Sequence, residues 1–183
     1  MSALLRNLVL LSVFAFLFGC NKVNPPQEGA ANTPAEASAV KALEVEEASK
    51  QLIRNWAAEL NKSNLAYLDQ VIHPDFVDHN PFPGVPATKA GYIATLTKAQ
   101  REWFPGIQIE VRDVLAGGDK VAFRVGVKAK HVGNVMGAPG TGKDLAWEAF
   151  GIYRVKDGML IERWELLDSF SFMSQLGLAK MAQ

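Results

Sequence analysis

The sequence predicts an α+β domain in which helices come first and a meander of antiparallel strands packs against them afterwards. Three observations carry that expectation. From Thr33 to about Trp103 apolar residues recur at helical spacing, and from Ile107 onward they alternate with polar ones. Two glycine-bearing turns, Gly117-Gly118-Asp119 and Lys156-Asp157-Gly158, then fold the alternating part into hairpins. Lys plus Arg and Asp plus Glu are each 19, so no net basic field exists to attract nucleic acid, and no nucleic-acid partner is expected.

The chain opens with Arg6 in a short polar head, an apolar run from Leu8 to Phe18, and Gly19-Cys20. That run is too short to span a bilayer as a stable helix and has the pattern of a secretory signal. Leu17-Phe18-Gly19-Cys20 resembles the lipobox of bacterial lipoproteins, which implies that Cys20 is lipidated and becomes the new N-terminus. Cys20 is the only cysteine, so it has no disulfide partner within the chain. By the same resemblance, Asn21 implies the cell envelope, at the periplasmic face of the outer membrane. Residues 21–32, with Pro25-Pro26 and Gly29 and no apolar period, read as a tether. The expected organisation is a signal peptide at 1–19, a lipid-anchored tether at 20–32 and one folded domain at 33–183.

Thr33-Pro34-Ala35-Glu36 combines a capping residue, proline at the first helical position and a glutamate placed to close a capping box. A long helix therefore starts there, and Val40, Leu43, Leu52, Ile53, Trp56 and Leu60 give it a core-facing stripe to about Asn61. A short helix from Leu65 to Ile72 ends before His73-Pro74, because a residue preceding proline avoids the helical region. Phe76-Val77-Asp78-His79 reads as a brief extended piece. A third helix, about Lys89 to Trp103, stops at Pro105. Strands follow around Ile107–Val111, Val121–Val127, Leu145–Val155 and Met159–Asp168, with a closing helical turn at about Phe170–Leu176.

Gly137-Ala138-Pro139-Gly140-Thr141-Gly142-Lys143 fits a phosphate-cradling loop up to the lysine, but Asp144 stands where Ser or Thr should reach magnesium. No helix follows it either, so it reads as a Gly/Pro-rich loop between strands. His73, His79 and His131 have no metal-ligand spacing, and no serine sits in a GxSxG turn. No metal and no cofactor is expected, which leaves acid/base chemistry.

In the last strand Glu162, Trp164, Leu166 and Asp168 share one face, and Ile161, Arg163, Glu165 and Leu167 the other. Whichever face is interior must hold an acid, and a buried carboxylate without a cation is expensive. Asp168 is then either a working acid/base or the cap of the closing turn. His131 shares parity with Val121, Phe123, Val125 and Val127, so it either looks into a cavity or is a structural histidine. His79 lies where the extended piece breaks into a proline-rich loop. Trp147, Trp164, Phe123 and Phe150 are either core or the lining of an apolar pocket.

Taken in order, Phe76-Val77-Asp78-His79-Asn80, Gly118-Asp119-Lys120-Val121, His131-Val132-Gly133 with Met136-Gly137, Thr141-Gly142-Lys143, Tyr153-Arg154-Val155 with Asp157-Gly158, Glu162-Arg163-Trp164 with Asp168, and Gln175-Leu176-Gly177 resemble one family. It is the SnoaL-like polyketide cyclase, or ester cyclase, group of the nuclear transport factor 2-like (NTF2-like) superfamily, and the resemblance spans Val71 to Gly177. It implies a cone-shaped α+β barrel, a curved antiparallel sheet wrapped around about three N-terminal helices and a deep pocket, commonly as a homodimer. It also implies a final-strand aspartate that acts as general acid/base for an intramolecular aldol closure without metal or cofactor; Asp168 is the matching position. The chain departs from the family pattern at Gly140, an insertion in the loop over the pocket.

The expected activity is acid/base catalysis on a small, largely apolar carbonyl compound by Asp168 and His131. His79, Trp147, Trp164 and Phe123 are expected to bind the substrate. The alternative expectation is a non-catalytic lipoprotein that holds an apolar ligand in the same pocket.

Overall fold

The computed structural model describes residues 33–180, so the expected signal peptide, the tether and Cys20 lie outside the described residues. Helix α1 spans Pro34–Asn61, α2 spans Ala66–Val71 and α3 spans Lys89–Lys98. At the start of α1 the Thr33 hydroxyl accepts from Glu36 N and the Glu36 carboxylate accepts from Thr33 N, closing the expected capping box. Five strands follow the order of the chain: β1 Ile72–Asp78, β2 Gln108–Gly117, β3 Lys120–Lys130, β4 Asp144–Lys156 and β5 Met159–Leu167. Helix α4, Ser169–Gln175, closes the fold.

The strands form one sheet in the order β1-β5-β4-β3-β2. All neighbouring pairs are antiparallel as expected except β1 with β5, which is parallel and aligns Asp78 with Arg163. One inner face packs on the helices. Trp56 and Leu60 of α1, Tyr92 of α3, Phe123 and Val125 of β3 and Tyr153 of β4 belong to a single buried cluster. Burying an aromatic or large aliphatic side chain of this kind contributes roughly 1.5–3 kcal/mol, so this cluster dominates the stability of the sheet–helix contact.

Two irregularities decide which side chains reach the inner face. Between Val155 and Arg154 of β4 the register with β5 shifts, so that Leu160 pairs with Val155 while Glu162 already pairs with Arg154. Ile161 is the extra residue of a β-bulge, and it turns Leu160, Arg163, Glu165 and Leu167 to one side. Helix α3 then runs into a π-helical turn, Ala99–Trp103, closed by Phe104 N donating to Ala99 O at 2.7 Å. Pro105 ends it, and the wider turn carries Trp103 and Phe104 onto the inner face.

One expectation about α1 is corrected. Val40 and Leu43 were expected to face the core, yet they are 48% and 65% exposed. The stripe itself is helical, but burial begins only at Ser49, because the sheet ends at the β2–β3 turn, where Gly118 N donates to Glu46 Oε1 at 3.3 Å. The first turns of α1 project past that edge.

Candidate active site

The helices, the sheet and α4 enclose a cavity of about 510 Å³, within the range of small-ligand sites. Its walls are mostly apolar: Trp56 from α1, Leu96 from α3, Trp103 and Phe104 from the π-helical turn, Trp147 from β4 and Phe172 from α4. Into this lining project two carboxylates and one guanidinium, Asp78 from the end of β1 and Glu165 and Arg163 from β5.

The three charges form one connected cluster. Arg163 Nη1 donates to Asp78 Oδ2 at 2.6 Å, Nη2 contacts Glu165 Oε1 at 2.8 Å, and Nε donates to Glu165 Oε2 at 3.3 Å. The fork of Arg163 therefore spans one oxygen of Asp78 and both of Glu165, with the planar geometry that favours guanidinium over ammonium. Asp78 Oδ1 accepts from Asn80 N at 3.1 Å, and Asn80 Oδ1 accepts from Glu165 N at 3.2 Å, so the loop after β1 braces both acids. The side chains of Asp78, Arg163 and Glu165 are 3%, 14% and 17% exposed, and such charges are tolerable at that depth only when paired.

Beneath the cluster, the Arg163 guanidinium carbon lies 4.8 Å from the centre of the Tyr92 ring, a cation–π contact. Tyr92 and Tyr153 share a buried hydroxyl–hydroxyl hydrogen bond of 2.7 Å. Burial pushes the Tyr92 hydroxyl up to about 12 and the Tyr153 hydroxyl well above its ordinary value, so both phenols are neutral donors at physiological pH. For Arg163 burial works against the charge, but the paired Glu165 carboxylate opposes it, the net direction is upward, and the guanidinium stays charged.

The structure distributes the six side chains expected at the site widely. Trp147 lines the cavity. Asp168, expected to be the catalytic carboxylate, lies beyond the end of β5; it is exposed and caps α4, accepting from Ser171 N at 3.1 Å. It does not line the cavity. His131 is buried as its parity requires, but β3 ends at Lys130, and the loop clamps the histidine through His131 N to Lys143 O and Gly142 N to His131 O. Its Nδ1 is 3.3 Å from Thr141 Oγ1 and its ring packs against Phe104, again outside the cavity lining.

His79 and Trp164 stack on each other on the outer face of the sheet, with ring centres 4.4 Å apart, and His79 Nε2 lies 3.0 Å from Glu162 Oε2. Phe123 is core, wedged between Trp56 and Tyr153. For Asp168, Trp164 and His79 the departures have one source. The face of β5 that turns inward is the row of Arg163 and Glu165, so Glu162, Trp164 and the partners of Trp164 fall outside. Asp78, Arg163 and Glu165 were missed although two signals pointed to them: Asp78 shares strand parity with buried Phe76, and Arg163 supplies the cation that an inward Glu165 needs.

A curved sheet folded over helices, with a mainly apolar internal cavity and a buried arginine–carboxylate cluster on its wall, defines an α+β domain of the nuclear transport factor 2-like kind. Residues 50–176 match the SnoaL-like polyketide cyclase family, and the chain belongs to that family. Among similar proteins are two named aklanonic acid methyl ester cyclases. DnrD of Streptomyces peucetius is 27% identical over 59% of this chain and 72% of its own length; DauD of Streptomyces sp. (strain C5) is 26% identical over 60% and 66%. Among solved structures, wild-type IdmH from Streptomyces antibioticus superposes with a TM-score of 0.61 at 30% identity, covering 69% of this chain and 96% of that one. TsrD from Streptomyces laurentii, at 23% identity, shares the fold with a TM-score of 0.66 over 73% of this chain and 97% of that one.

Proposed function

We propose that this protein is a cyclase-type acid/base enzyme that closes a ring in a neutral, largely apolar carbonyl compound, with Glu165 as the proton-transfer group. The observation that carries this reading is the Glu165 carboxylate on the wall of an otherwise apolar cavity, held by Arg163, which Asp78 holds in turn. Glu165 takes a proton from the carbon next to a carbonyl. The resulting enolate carbon attacks a second carbonyl of the same molecule, forming a C–C bond, and the protonated Glu165 returns its proton to the new alkoxide. Asn80, whose Oδ1 is occupied by Glu165 N, has its amide nitrogen left to donate to the enolate oxygen. The cavity carries two carboxylates against one guanidinium, and each of the three nitrogens of Arg163 already meets a carboxylate, so an uncharged substrate suits it better than an organic acid.

A second reading, ligand holding without chemistry, is favoured by one observation: Arg163 engages both oxygens of Glu165. The test is a screen of the domain from residue 33 against carbonyl metabolites, beginning with aklanonic acid methyl ester because of the relatives' names. Glu165→Gln should abolish ring closure while leaving ligand binding in place. A native protein that binds the ligand and returns it unchanged would establish the second reading.

Location and assembly belong to the same proposal. The lipobox-like sequence at Cys20 supports a lipid-anchored protein of the bacterial envelope, which argues against a tetracyclic polyketide as the native substrate. Homodimerisation through the outer face of the sheet is supported by Phe150, Ile152 and Leu166, which are 55%, 41% and 70% exposed. Phe150 pairs with Leu166 and Ile152 with Trp164, so they form one contiguous apolar patch.

A further inference from the structure

The proposed chemistry does not use the Gly/Pro-rich loop between β3 and β4, which carries a backbone anomaly at the cavity. Val135 and Ala138 face each other across a two-residue turn, with reciprocal backbone hydrogen bonds of 2.9 Å, and both are buried. The central residues, Met136 and Gly137, have φ of 52° and 90°. This mirror-image turn suits Asn-Gly, and a Met there is in the left-handed region that a Cβ disfavours. The Met136 side chain is also 45% exposed, so burial does not explain it either. What it does is line the cavity at a solvent-facing edge.

The placement is built rather than loose. At the base of the loop Val132 N and Gly133 N donate to Trp103 O at 2.9 and 3.2 Å, and Asn134 Oδ1 accepts from Gly137 N at 3.0 Å. A Cβ at Gly133 would collide with the Glu102 carbonyl oxygen, and one at Gly140 with the Val132 carbonyl oxygen, so the loop is packed against backbone at both ends. Val135 and Ala138 join the cluster of Trp103, Phe104 and Phe172, three residues that themselves line the cavity. Two local disadvantages, left-handed backbone and a half-exposed apolar side chain, thus coincide at a residue fixed at the rim of the pocket. Strained backbone retained at a ligand site points to function.

We propose that Met136 is a specificity-determining residue: the loop holds its thioether across the pocket mouth, where it closes on flat apolar ligands by adaptable van der Waals contact. This rests on the cavity being a ligand site but not on proton transfer by Glu165, so a Glu165→Gln variant with unchanged turnover would leave it standing.

The test uses the neutral fluorescent probe N-phenyl-1-naphthylamine. Met136→Gly relieves the backbone, so Tm should hold or rise while probe affinity falls by about fivefold or more. Met136→Leu, which keeps apolar bulk, should bind within about twofold of the native protein. With saturating probe, peroxide oxidation of Met136, followed by peptide mass spectrometry, should slow by about threefold or more while that of Met159, the first residue of β5 and outside the cavity lining, does not. Unchanged affinity in Met136→Gly, a loss of affinity that only tracks a fall in Tm, or equal protection of Met136 and Met159 would overturn the proposal. Absence of saturable binding by the native protein would overturn the pocket and the proposal together.

Discussion

Arg163 and Asp78 are 85 positions apart in the chain, yet their side chains meet at 2.6 Å because β1 lies parallel to β5 with these two residues in register. The ion pair is almost wholly buried and ties the sheet's edge strand to the wall of the cavity. Asp78→Asn leaves half of the Arg163 fork facing a neutral amide. Removing one partner of a buried pair costs about 3 kcal/mol, which urea unfolding of the domain would read as a fall in midpoint. A loss within error would mean that Glu165 alone suffices to hold Arg163.

Two acids near the end of β5 have separable roles. Glu165→Gln should lower turnover by about 10²–10⁴-fold, the usual range for a lost general base, with the fold intact by circular dichroism. Asp168→Asn should leave turnover unchanged, because an asparagine oxygen caps α4 nearly as well as a carboxylate. The opposite pattern would return the catalytic role to Asp168.

The Tyr92–Tyr153 pair predicts an alkaline limit to stability. An exposed tyrosine in the unfolded chain titrates near 10, whereas Tyr92 in the fold is pushed up to about 12 by burial. The folded state therefore holds its proton more tightly. The corresponding stability is fully present below about pH 10 and is lost progressively as pH rises toward about 12. Absorbance at 295 nm should show tyrosinate from Tyr92 and Tyr153 only as the protein unfolds, and Tyr92→Phe should move that transition.

Phe150→Glu places a charge in the exposed patch opposite Leu166 without touching the cavity. If the outer face joins two copies, light scattering on the domain should show the dimer weakened by about tenfold or more, with no change in ligand binding. A variant that dimerises as the native protein does would move the interface elsewhere.

Most of the fold was legible in the sequence because its signals are local. The capping box at Thr33, the stop at Pro105 and the glycine turns after Gly117 and Asp157 each act within a few residues, and the elements begin and end beside them. The site was less legible because its geometry is set across the sheet. Alternation in β5 reads correctly from Glu162 onward, but both rows carry a carboxylate beside an apolar residue, so parity alone does not say which row is inside. That is decided by Tyr153 opposite Arg163 on β4 and by Asp78 beside it on β1. His131 shows the same limit: its parity puts it inside, while the residues that clamp it, Gly142 and Lys143, lie past a loop. Val40 and Leu43 continue a genuine helical stripe beyond the edge of the sheet that would cover it.

The bulge at Ile161 governs how this site can change over time. It acts as a phase selector: Leu160 and Arg163 face the same way only because one residue between them is unpaired. Deleting that residue would set Leu160 and Arg163 two apart, the spacing at which a regular strand already puts them on one face, so both rows would keep their sides and only the bulge would be lost. Asp78 would keep Arg163 as its cation. Deleting Trp164 from the regular part of the ladder would instead put Arg163 and Glu165 on opposite faces, so lineages that keep the arginine–carboxylate cluster are expected to vary in length at the bulge and to hold the spacing from Arg163 to Glu165 as strictly as the acids themselves.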